Sequence, residues 1–325
     1  MGYATSKQIA RSEIPVIDIS PLLGDDPAGL SAVAESLRVA AADPGFFYVS
    51  HHGVPEATLA AAREAAGQFF AQPLDEKRKV RIDDHHRGFL RIGEAKMYGG
   101  ANPDLKESYV FGLDVAPDDR EVVAGNPLLG LNNWPGAMPT LRPACNAFFT
   151  AMSACGHALM RAFAVAMGLA PDVFLRSVQR PVSRGALVYY PPQPPRMGTE
   201  QFGVAPHTDY GCLTLVWQDD TGGLEVLNKR QEWVTAAPIE GTLVVNVGDL
   251  LARWTNDRFS STAHRVINRS GHERYSMALF FDPDVDTLID PAGVIGGDET
   301  PLYPPVTCGE HILSRYEAAF SYRKK

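Results

Sequence analysis

The chain has no CxxC pair: its four cysteines (Cys145, Cys155, Cys212 and Cys308) are scattered across 325 residues. That spacing argues against a zinc knuckle and a disulfide framework and fits a reducing compartment, with the thiols serving as small core residues. Nor is there a long Lys/Arg block, and 30 Lys+Arg against 38 Asp+Glu leave a formal net charge of −8. Neither a nucleic-acid backbone nor an anionic membrane surface is therefore an expected partner, and no protein partner is evident. An anionic small molecule stays compatible, because the charge of a pocket need not follow the charge of the whole. No basic-then-apolar leader opens the chain, so a cytoplasmic location is expected. The most apolar helical stretch, AMSACGHALMRAFAVAMGLA, carries His157 and Arg161 and reads as a core helix, not a membrane span. The opening MGYATS meets the loose myristoylation pattern at Gly2 and Ser6, a match short enough to arise by accident.

What is present is an ordinary globular composition, 45% hydrophobic and 21% charged, without repeats or low-complexity tracts. The segment IPVIDISPL is a short apolar run and predicts a strand. DPAGLSAVAESLRVAAADP predicts a helix, with Asp26 as N-cap, Pro27 in its first turn and Pro44 closing it. GFFYVSHHGV predicts a second strand, and the stretch from Pro55 to Pro73 a second helix. Residues 76–136 are rich in Gly, Asp and Asn and predict loops and short strands over a site. A long helix is expected from about Pro139 to Leu169. After Pro181 the texture becomes short strands separated by turns: GALVYY, CLTLVWQ, GLEVLN, EWVTAAP, GTLVVNV, STAHRVIN and RYSMALFFD. Strands recurring at such intervals are the mark of a sandwich or barrel, here a β-rich core supported by helices.

Chemistry concentrates in this second half. In APHTDYGCLTLVWQDD, His207 and Asp209 stand two apart ahead of a strand-forming run. On an extended backbone alternate side chains share a face, so both can reach one ion while Thr208 points away. STAHRVIN supplies a third candidate ligand, His264, on a later strand. Two imidazoles and a carboxylate leave open coordination positions suited to non-haem Fe(II) chemistry, although zinc accepts similar ligands. Ten residues on, Arg274 and Ser276 alternate along RYSMALFF. A guanidinium fork with a neighbouring hydroxyl is a receptor for a carboxylate.

Taken together, these segments resemble the 2-oxoglutarate/Fe(II)-dependent dioxygenases of the isopenicillin N synthase-like family. The likeness runs over roughly residues 13–290: IPVIDISPLL, GFFYVSHHGVP and PDLKESYVFG in the first half, then VYYPPQP, APHTDYGCLTLVWQDDTGGLEVL, WVTAAPIEGTLVVNVGDLLARWTNDRFSSTAHRV and RYSMALFFDP. The resemblance implies a mainly β fold with supporting helices around a double-stranded β-helix (jelly-roll) core. It implies one catalytic domain over 1–325, made of an N-terminal α/β region (10–135), the Fe(II)/2-oxoglutarate-binding core (180–290) and a C-terminal extension (291–325). It implies Fe(II) on His207, Asp209 and His264, and 2-oxoglutarate on Arg274 and Ser276 with Tyr190 as a further contact. Val188 departs from the Asn that many plant members carry beside the co-substrate.

The activity implied is oxidation, most simply hydroxylation, of a small metabolite by O2, with 2-oxoglutarate decarboxylated to succinate and CO2. Phe280 and Asp282, farther along the Arg274 strand, are expected to face the substrate. Leu215 and Val266 are expected to line the cavity, and Tyr98 and Lys106 to lie near its mouth. The other histidines show no metal spacing. Two alternatives stay open within the family, an ethylene-forming enzyme and an oxidase that needs no co-substrate, because the Arg-x-Ser pair does not separate them. From another class comes an inactive metal-binding or sensing module.

Overall fold

The computed structural model describes residues 14–24, 26–94, 102–193 and 201–319. The first half opens with β1 (Val16–Asp18), α1 (Pro27–Ala42), β2 (Phe46–Ser50), α2 (Glu56–Phe70) and the short α3 (Leu74–Arg78). β3 (Gly88–Leu90), β4 (Glu107–Gly112), α4 (Arg120–Val123) and the long α5 (Leu141–Ala166) follow. The second half holds β5 (Arg184–Tyr190), β6 (Val204–His207), β7 (Leu213–Gln218), β8 (Leu224–Leu227), β9 (Trp233–Thr235) and β10 (Thr242–Val247). It closes with α6 (Asp249–Trp254), β11 (His264–Val266), β12 (Arg274–Phe281), β13 (Leu288–Ile289), β14 (Val306–Thr307) and α7 (Cys308–Ala319).

Local signals explain several boundaries. The Asp26 carboxylate accepts the Ala28 N–H and Pro27 occupies the first turn, so α1 starts where capping chemistry places it. Its end is set by Asp43 and Pro44, since a residue before proline is pushed out of the helical region. α5 is long and apolar enough to cross a membrane by length and composition alone. It lies instead in the protein core, with Phe148, Met152, Leu159 and Phe163 fully buried and α1 and α2 packed beside it.

Two sheets build the core. The larger has the order β1-β2-β10-β7-β12-β5-β4-β3, and the smaller the order β6-β11-β8-β9. Apart from the parallel β1–β2 pair the ladders are antiparallel, as expected of a jelly roll. Alternation divides the side chains of the larger sheet. Leu187, Leu215, Tyr275, Met277, Leu279 and Phe281 join α1, α2 and α5 in one apolar layer. Val110, Ala186, Val188, Tyr190 and Val244 face the smaller sheet, where Val204, Leu224, Val226 and Val266 meet them. With both faces covered, β4 and β5 are buried along nearly their whole length, and after Arg184 β5 reads as an unbroken apolar run.

One expectation changes at this level. Leu215 points to the helices and not into the cavity, because the inward phase of β7 belongs to Thr214 and Val216. His207 ends β6, and Asp209 stands ahead of β7, the strand that CLTLVWQ predicts. Ile312 and Tyr316, from the C-terminal extension, share the apolar layer that begins at Ile17. Tyr98, Gly2 and Ser6 lie outside the described residues.

Candidate active site

The site begins with a register pair. β6 and β11 run antiparallel with His207 directly opposite His264, which brings the ring centroids to 4.2 Å. Asp209 reaches in from the turn, its Oδ1 lying 3.6 Å from His207 Nε2 and 3.7 Å from His264 Nε2. One donor atom from each of the three lies within 4.8 Å of the others. Thr208 points away, its hydroxyl bonding the Asp249 carboxylate at 3.2 Å.

Neighbouring groups fix each donor. His207 Nδ1 sits 2.9 Å from the Ala205 carbonyl oxygen, and His264 Nδ1 sits 3.2 Å from that of Thr262. A carbonyl only accepts, so each Nδ1 carries the proton and each Nε2 keeps a lone pair for the centre. The Thr214 hydroxyl (2.6 Å) and the Asn246 amide (2.7 Å) both donate to Asp209 Oδ2, which leaves Oδ1 to the ion. Burial pushes His207 down to about 3, the neutral form that ligates. Burial opposes ionisation of Asp209, but the two imidazoles and these donors outweigh it and hold the carboxyl below its usual range.

The turn carrying Asp209 is held from two sides. The N–H groups of Asp249 and Leu250, at the start of α6, donate to the carbonyls of Asp209 (2.7 Å) and Gly211 (3.0 Å). Asp282, fully buried, accepts the Cys212 N–H at 3.0 Å. A Cβ on Gly211 would come within 1.9 Å of the Asp282 carboxylate, so only glycine lets β12 approach this turn. Asp282 thus corrects the expectation of a substrate contact: it stands one layer behind the cleft, against Cys212 and, at 3.5 Å, the Arg184 guanidinium.

Arg274 and Ser276 point into the space between the sheets, as alternation requires. The Arg274 guanidinium is 1% exposed and lies 4.7 Å from the ring centre of Tyr190, its register partner on β5. Its Nε donates to the Gly222 carbonyl (2.6 Å) and its Nη2 to Gln218 (3.2 Å), while Nη1 is buried with no hydrogen-bond partner among the described residues. A buried cationic donor left without an acceptor carries a desolvation cost, which a carboxylate ligand would remove.

A cleft opens in front of the triad, lined by Ser108 and Val110 of β4, Ala186 and Val188 of β5, and Phe280 of β12. Phe280, expected to face the substrate, is in the wall of this cleft, as is Lys106. Sequence reasoning missed Arg184, Tyr210, His86 and, from α7, Tyr316. Arg184 opens a strand whose apolar body drew attention, and nothing in the local pattern around Tyr316 signals a return to the site.

Comparison with known proteins agrees with this geometry. Residues 14–137 match the family described as non-haem dioxygenase in morphine synthesis N-terminal, and residues 183–283 match the 2OG-Fe(II) oxygenase superfamily. A 2-oxoglutarate-Fe(II) type oxidoreductase, hxnY of Emericella nidulans, is 30% identical over 324 residues, covering 96% of this chain and 93% of its own. A homoarginine-6-hydroxylase of Glycine max is 36% identical over 86% of this chain and 88% of its own. Among solved structures, a full-length Neurospora crassa protein in complex with alpha-KG (2-oxoglutarate) and thymine superposes with a TM-score of 0.82 at 28% identity, covering 97% of this chain and 99% of that one.

Proposed function

The chain belongs to the 2OG-Fe(II) oxygenase superfamily, and from that premise we propose that His207, Asp209 and His264 hold its iron and that Arg274, Ser276 and Tyr190 hold 2-oxoglutarate. The protein is a non-haem Fe(II)- and 2-oxoglutarate-dependent oxygenase that oxidises, chiefly by hydroxylation, a small-molecule metabolite. Bound iron with 2-oxoglutarate and O2 supplies oxidising power enough to break an unactivated C–H bond, as the co-substrate becomes succinate and CO2.

The observation that carries the residue assignment is the pairing of two unsatisfied features in the space between the sheets. Three donor atoms converge with their outer atoms already committed, and a buried guanidinium has one nitrogen without an acceptor among the described residues. The two imidazoles and the carboxylate give a facial set of three and leave positions open for the reactants. Asp209 offsets part of the metal charge, while Thr214 and Asn246 stop its carboxylate from rotating away. Arg274 would take the distal carboxylate of 2-oxoglutarate, with the Ser276 hydroxyl adding a hydrogen bond and the Tyr190 ring backing the guanidinium. Val110, Ala186, Val188 and Phe280 give the cleft a wall that keeps water from the reacting centre.

The relatives support a small substrate: one is named for hydroxylating homoarginine, and the Neurospora protein is seen with thymine. The test is a screen of small metabolites under Fe(II), 2-oxoglutarate and O2, read as succinate released. Succinate formed mole for mole with an oxidised product supports the reading. An oxidised product formed without 2-oxoglutarate consumption contradicts it.

A further inference from the structure

One carboxylate outside the triad ties the ligand-bearing segments together. Asp249 opens α6, and its Oδ2 accepts the hydroxyl of Thr208, the residue between His207 and Asp209. Its Oδ1 accepts the Ser261 hydroxyl at 2.7 Å. Ser261 stands three residues before His264 and next to Thr262, whose carbonyl orients the His264 ring. The Asp249 N–H meanwhile donates to the Asp209 carbonyl at 2.7 Å. One residue thus touches the segments of all three ligands.

What steadies Asp249 comes from the far end of the chain. Arg315 of α7 donates its Nη2 to Asp249 Oδ2 and, at 3.3 Å, to the Thr208 hydroxyl oxygen. Its guanidinium also lies 5.0 Å from the ring centre of Tyr210, the residue after Asp209. Tyr316, next along α7, meets that ring at 6.2 Å, stacks on His86 at 4.5 Å and lines the cleft. The Asp249 side chain is 19% exposed, so water competes for it, and hydroxyls alone rotate freely. A guanidinium fixes the carboxylate and so directs both hydroxyls. With Arg315 itself 38% exposed, the pair adds little to global stability, and its effect is local.

We propose that Arg315 is a positioning residue for the iron centre, acting through Asp249 on the segments that carry the three ligands, so that docking of α7 and binding of iron favour one another. This rests on the iron assignment proposed above. It also joins the metal to the cleft: the helix that supplies Tyr316 to the wall is seated most firmly when the metal is bound.

The test uses the full chain under anaerobic conditions and needs no turnover. Fe(II) is titrated calorimetrically into wild type, Arg315→Ala and Arg315→Lys, and Co(II), a spectroscopic probe, into the same proteins. Arg315→Ala should bind Fe(II) about tenfold more weakly, the lower end of what loss of a supporting partner costs a metal site. Arg315→Lys returns the charge and should recover part of that loss. The ligand-field bands of bound Co(II) should shift in Arg315→Ala and move back in Arg315→Lys, while the melting temperature of the metal-free protein stays nearly constant. By reciprocity, saturating Fe(II) should slow amide exchange over residues 312–316 about tenfold in wild type and clearly less in Arg315→Ala. That exchange measurement on the wild type decides the matter even where Arg315→Ala does not fold. Wild-type iron affinity in Arg315→Ala, a loss matched by an equal fall in metal-free stability, or exchange in α7 indifferent to iron would each overturn the proposal. Iron binding to the wild type, measured first, separates the two readings. Its absence would refute the iron assignment, and its presence with α7 and Arg315 indifferent refutes only this inference.

Discussion

Replacing Arg274 with Gln should remove 2-oxoglutarate binding while leaving the ligand-free protein about as stable as before. In the wild type the guanidinium places Nε on Gly222 and Nη2 on Gln218 and leaves Nη1 buried without a partner among the described residues. A ligand carboxylate placed against that nitrogen forms a buried charge pair, and taking away one partner of such a pair costs about 3–5 kcal/mol. At about 1.4 kcal/mol per decade, the 2-oxoglutarate dissociation constant should rise by about a hundredfold to four-thousandfold. The ligand-free protein loses two hydrogen bonds but also sheds an unsatisfied buried cation, so its stability should change by no more than about 2 kcal/mol. Thermal melts and anaerobic calorimetry of the iron-loaded protein read both quantities. At a hundred times its dissociation constant 2-oxoglutarate should stabilise the wild type by about 2.7 kcal/mol and the variant hardly at all. Equal 2-oxoglutarate affinity in a folded Arg274→Gln protein would show that the carboxylate receptor lies elsewhere.

Asn246→Ala removes one of the two donors to Asp209 Oδ2 and should weaken iron binding about 10- to 100-fold, with activity restored by excess Fe(II); activity that stays low at saturating iron would contradict a positioning role. Asp104 is buried and its carboxyl is pushed up from 3.8 to about 6, so its contribution to stability is greatest below pH 4 and is lost as pH rises through 6. Asp104→Asn keeps the acceptor for Ala205 and should flatten that fall, by up to about 3 kcal/mol between pH 4 and 8, as read from melting temperatures. The four cysteines are buried and burial raises every thiol, Cys155 to about 12, so alkylating reagents at pH 8 should label none in the native protein and all four after unfolding. Rapid native labelling of any one of them would contradict its burial.

Much of this architecture is legible in the sequence because patterning and chemistry agree there. The cap at Asp26, the apolar runs of β5, β7, β10 and β12 and the alternation of Arg274 with Ser276 each follow from local rules. The triad is readable as residues but not as geometry. β6 contains Pro206, which weakens a strand signal, so the strand that carries His207 is hard to see, and Asp209 lies just past its end. β4 is hidden in a stretch rich in Gly, Asp and Asn, although it supplies Ser108 and Val110 to the cleft. Alternation misleads at Leu215, whose phase is opposite to that of Thr214, and at Asp282, where the strand has ended at Phe281 and the carboxylate turns toward Cys212. Tyr316 reaches the site through tertiary docking of α7, and no local pattern encodes that.

The central claim is that His207, Asp209 and His264 form one iron centre on which 2-oxoglutarate binding depends. Parallel calorimetric titrations of Fe(II) and then 2-oxoglutarate into wild-type protein and Asp209→Ala test it most directly. The account predicts one iron per wild-type chain, 2-oxoglutarate binding that is strong only when iron is present, and loss of both in a folded Asp209→Ala protein. Iron and 2-oxoglutarate bound with wild-type affinity by Asp209→Ala would contradict it.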